Sequence, residues 1–154
     1  MGRTIGIRMD AGYPGALTRS VDVIVSPFPV DAGTTPILWG QAVALTATGS
    51  VTNATDTNDI IGIAVRRVQQ PSGNNPQVWD MQAGDVCDVL VRGAVIVEVD
   101  PGTLPAPGSP VFFDDTTQLF TAVDTDTPIP NAVYTNGVVD PNNCTEILIT
   151  TRSI

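Results

Sequence analysis

The chain is interrupted at short intervals by residues that end regular structure. Its apolar runs are rich in Val, Ile and Thr, and each soon meets Gly, Pro, Asn or Asp. β-Branched residues suit the pleated, half-buried surface of a strand, whereas Gly, Pro, Asp and Asn supply turn conformations. No window carries apolar residues at i, i+3, i+4 and i+7, the stripe that an amphipathic helix needs. Short strands about ten residues apart predict an all-β sandwich or barrel.

The runs can be placed in order. Residues 1–19 read as an extended N-terminal arm, with turn chemistry over Asp10–Gly15. A first strand is expected over Ser20–Val25, closed by Ser26-Pro27-Phe28-Pro29. A second covers Ile37–Leu45, with a bulge or bend at Gly40. Thr46–Asp59 reads as a polar loop and Ile60–Val68 as a strand. Gln69–Gln77 forms another loop. Val86–Val91 and Ala94–Val99 flank Arg92-Gly93, the length of a tight hairpin turn. Pro101–Pro110 is a proline-rich loop. Val111–Phe113 and Gln118–Val123 make a second hairpin around Asp114–Thr117. Asp124–Pro130 is a loop, Ala132–Tyr134 a weak strand, and Thr145–Thr150 the last strand. Residues 20–154 thus form a single β domain.

Composition narrows the function. There is no histidine or lysine, and Glu98 and Glu146 are the only glutamates. These residue types supply most general acids, bases and amine nucleophiles, so catalysis is not expected. A net charge of −9 argues against nucleic acid as a partner. No apolar run reaches the roughly 18 residues of a membrane helix, and the N-terminus shows no export signal. All seven cations are arginines, and Arg3, Arg8 and Arg19 give the arm a positive charge before an acidic body. Such guanidinium groups suit carboxylate pairing at protein interfaces. Cys87 and Cys144 are expected as buried thiols.

Few chemical sites suggest themselves. The acidic stretches Asp114-Asp115, Asp124-Thr-Asp126 and Asp56-Thr-Asn-Asp59 lack the spacing of a calcium loop and read as turn formers. Two cysteines without histidine cannot close a zinc tetrahedron. No cofactor is expected. Nothing singles out Glu98 and Glu146 as a glycosidase pair. Trp39 reads as core or contact, and Trp79, beside a polar loop, is the better interface residue.

Several phrases occur in a telling order: Gly12-Tyr-Pro-Gly-Ala-Leu-Thr-Arg19, Ile37-Leu-Trp-Gly-Gln-Ala-Val43, Ile61-Gly-Ile-Ala-Val-Arg66, Ala83-Gly-Asp-Val86, Val89–Val97, Pro107-Gly-Ser-Pro-Val-Phe-Phe113 and Gln118-Leu-Phe-Thr121. Through them the chain resembles the structural cement, or capsid decoration, proteins of tailed bacteriophages. The resemblance implies a jelly-roll-like domain on the outer surface of the virion capsid, made in the host cytoplasm. It would bridge neighbouring copies of the phage major capsid protein and stabilise the shell. The arm would become ordered against a capsid neighbour. The resemblance also implies a closed homo-oligomer, with a dimer favoured over a trimer. Val95, Val97 and Val99 are candidates for its contact face, or else line the domain's own core. A carbohydrate- or receptor-binding domain of a phage fibre or surface protein is the alternative.

Overall fold

The computed structural model describes residues 12–18, 22–34, 36–56, 59–66 and 80–150. None of these residues is helical. The strands are β1 (Ile24–Pro29), β2 (Ile37–Leu38), β3 (Ala42–Leu45), β4 (Val51–Asn53), β5 (Ile60–Ala64) and β6 (Asp80–Met81). They continue as β7 (Val86–Glu98), β8 (Pro110–Asp114), β9 (Leu119–Thr121), β10 (Thr127–Tyr134) and β11 (Cys144–Ile149). All ladder pairings are antiparallel. The fold is therefore the expected all-β, jelly-roll-like arrangement of short antiparallel strands.

One nine-stranded sheet runs β4-β3-β5-β7-β11-β10-β8-β9, with β1 added to β7; β2 and β6 form a small second sheet. The large sheet curls into two lobes. In the first, β1, β7, β5, β3 and β4 follow one another, and a Val30–Val51 bridge returns β4 to the end of β1. In the second, β7, β11, β10, β8 and β9 do the same, closed by a Val99–Phe120 bridge. Two apolar clusters fill the curled sheet, and the second also takes in Ile60, Ile63 and Leu90 from the strands of the first lobe. Val43, Val51, Ile61, Cys87, Val89 and Val91 belong to the first. Val97, Val111, Phe113, Phe120, Tyr134 and Ile147 belong to the second, where the Phe113 and Phe120 rings meet edge to face at 5.6 Å.

Strand β7 joins the lobes. Its first half pairs with β1 and β5, and its second half with β11. The tight hairpin expected at Arg92-Gly93 does not form. A type I′ turn needs positive φ at both central residues; only Gly93 has it, at +128°. The joint is a bulge instead, with a register shift at Ile24/Val25 opposite it. Leu90 and Val95 share the second cluster although an odd number of positions separates them. An unbroken strand would place them on opposite faces. A Cβ at Gly93 would also lie 3.1 Å from Val23 Cγ2.

Other boundaries moved for local reasons. β1 runs through Pro27 and Pro29, which were expected to end it. Along these residues β1 has a ladder only with β7, so the missing N–H groups can face outward. The supposed loop Thr46–Asp59 contains β4, a strand with one apolar residue that follows a turn tied by Thr46, Thr48 and Ser50 hydroxyls. β10 takes in half of the expected Asp124–Pro130 loop, with exposed Pro128 and Pro130 and a register shift before Val133. The Asp114–Thr117 hairpin forms as expected between β8 and β9. Cys87 and Cys144 are both buried thiols and form no disulfide.

Candidate interaction groove

The segment before β1 is fixed onto the second half of β7. Leu17 bridges Val95, Gly15 N donates to Ile96 O at 2.9 Å, and Ile96 N donates to Ala16 O at 2.9 Å. The same segment crosses the turn that follows β2. Arg66 N donates to Gly15 O at 2.9 Å, and Gly40 N donates to Ala64 O at 2.7 Å. Gly40 sits at φ +84°, and a Cβ there would come 2.5 Å from Pro14 Cβ. Only glycine permits that crossing.

The crossing assembles side chains distant in sequence. The Arg66 guanidinium carbon lies 4.7 Å from the Tyr13 ring centroid and 5.2 Å from that of Trp39. Both distances allow cation–π attraction. Beside this cluster runs a groove of about 380 Å³, walled by Tyr13, Pro14, Leu38 and Trp39 on one side. Leu119 and Phe120 face it from β9, with Glu98 and Gln118 contributing polar groups. Tyr13 and Leu38 are 45% and 47% exposed, large values for such apolar surface. Gln118 holds φ +59°, and its Nε2 donates to Asp115 O at 2.7 Å and Ala54 O at 3.3 Å. Its Oε1 is buried with no partner among the described residues. The groove offers aromatic faces, an apolar wall and one carboxylate. That set suits the capture of an extended segment.

The candidates named from sequence lie elsewhere. Arg3, Arg8, Arg19 and Trp79 fall outside the described residues. Val95, Val97 and Val99 lie in the second lobe's core, none more than 1% exposed. The acidic side chains accept hydrogen bonds from their own loops: Asp114 accepts from Thr116 N at 2.9 Å and Thr117 Oγ1 at 2.9 Å, and Asp126 accepts from Thr121 Oγ1 at 2.5 Å. Those hydrogen bonds to Asp114, first from the Thr116 backbone and then from the Thr117 hydroxyl, hold its carboxyl below the usual range. No cluster of three or more metal-ligating side chains occurs among the described residues. Arg92 pairs with Asp22 at the surface. Sequence reading missed Tyr13 and Arg66 as partners of Trp39, because no local signal links positions so far apart.

The family model for structural cement proteins (E217 gp24/Pam3 gp6) matches residues 1–150. The chain belongs to this phage structural cement family. Its fold is also similar to a chain of a structure titled "The capsid of Myoviridae Phage XM1", with a TM-score of 0.73 and 18% identity. That alignment covers 99% of this chain and 98% of the other. At this identity the likeness speaks to the cement protein's fold. No curated protein sequence matches the chain. In the cement protein, the groove and the arm that precedes it in sequence are the features left unexplained by the closed lobes.

Proposed function

We propose that this cement protein decorates the outer surface of a phage head, bridges neighbouring major capsid proteins and stabilises the assembled shell. The family match over nearly the whole chain carries this reading. The physical character of the molecule supports it. The body is acidic, its strands curl back on themselves, and catalytic residue types are scarce. Its arginine-bearing arm packs against a neighbouring molecule, and the protein acts as a closed oligomer, with a two-fold dimer preferred. It is made in the host cytoplasm and ends in the virion.

Co-sedimentation with assembled shells tests the proposal. The purified protein should saturate on shells at a fixed stoichiometry and raise the temperature at which they release DNA. Absence of saturable binding, or binding with no gain in shell stability, would overturn it.

A further inference from the structure

We propose that the Tyr13–Trp39 groove is the receptor for the N-terminal arm of a second copy of this chain, exchanged reciprocally in a two-fold dimer. The sequence of the arm matches the groove. In extended form Ile5, Ile7 and Met9 fall on one face and Thr4, Gly6 and Arg8 on the other. An apolar edge backed by an arginine complements an apolar wall carrying Glu98. Charge acts in the same direction. Residues 1–19 hold Arg3, Arg8 and Arg19 against Asp10, a net of +2; with −9 for the whole chain, residues 20–154 carry −11. The arm of one copy is therefore drawn to the body of another.

The arm leads directly into the groove wall. Tyr13 forms part of the groove wall, and the next residues are already fixed on β7. A second copy's arm can enter extended, and residues 1–11 reach up to about 36 Å. Reciprocal exchange uses the same surface twice and closes the assembly at two copies. Burial of exposed Tyr13 and Leu38 removes apolar surface from water at each site. The inference does not depend on shell binding, because purified protein alone tests it.

Sedimentation equilibrium of the full chain should show a dimer that weakens with added salt. Leu38→Glu on the groove wall, and separately Ile5→Asp with Ile7→Asp in the arm, should each raise the dimer dissociation constant at least about tenfold. Their circular dichroism should stay unchanged, since Leu38 is half exposed and the two described cores are built from later residues than the arm. Glu98→Arg should weaken the dimer in the same sense. A monomeric wild type overturns the proposal, and trypsin cleavage at Arg3 and Arg8 that appears only in Leu38→Glu would then place the arm in its own groove. A dimer indifferent to either the wall or the arm substitution overturns it equally.

Discussion

Tyr134 is the largest fully buried side chain among the described residues, and its hydroxyl donates to Thr121 O at 2.8 Å. Burial pushes the phenol's pKa above its ordinary value. Cys87 behaves alike, its thiol pushed up to about 12 first by burial and then by the charge of Asp88. Both groups are neutral in the fold, whereas the unfolded chain ionises a thiol near about 8.5 and a phenol near about 10. The native state therefore binds more protons at alkaline pH, and stability falls as pH rises. Denaturant midpoints should be flat near neutrality and fall above about pH 9. Tyr134→Phe should cost about 1–2 kcal/mol at neutral pH, because Thr121 O loses its donor in the core. It should also flatten the steepest part of the alkaline decline. An unchanged slope in that variant would show that the phenol is not the titrating group.

At the scale of the element, β7 carries the structure. Val97 lies in its second half, pairs with Thr145 of β11 and is fully buried. Val97→Ala should cost about 1–3 kcal/mol, and Val97→Asp should prevent folding by placing an unpaired carboxylate in the core. A folded Val97→Asp protein would contradict the burial described above. Most strand positions were legible in the sequence, since period-two runs such as Cys87, Val89 and Val91 record one buried face. The joint at Gly93 was not legible, because Arg-Gly between two apolar runs has the length of a hairpin turn. Only the long-range pairing with β1 and β11 shows that the strand continues. Strand β4 and the first part of β10 were hidden by polar and proline-rich sequence, where partners rather than propensity decide the conformation.

For the molecule as a whole, the arm divides into two parts. Gly15–Thr18 is bonded to β7, so a deletion through residue 19 would strip an edge from the second lobe. Deleting residues 1–11 should leave a cooperatively folding β protein that binds shells weakly. Full shell binding by that truncated protein would show that the arm makes no contact of consequence. The groove was legible only in pieces. Gly12-Tyr-Pro-Gly15 read as a turn, Trp39 as core or contact, and Arg66 as one surface cation among seven. Their convergence depends on the Gly15–Gly40 crossing, which no sequence window contains.

The single strand through both lobes has a mechanical consequence. A force that pulls the lobes apart loads β7 as well as the apolar packing between them, because its peptide bonds run across the joint. Stretching should therefore break the ladders of β1 or β11 in shear before the lobes separate. For a clamp on a shell, the load it can bear is then set by the ladders that flank this one strand.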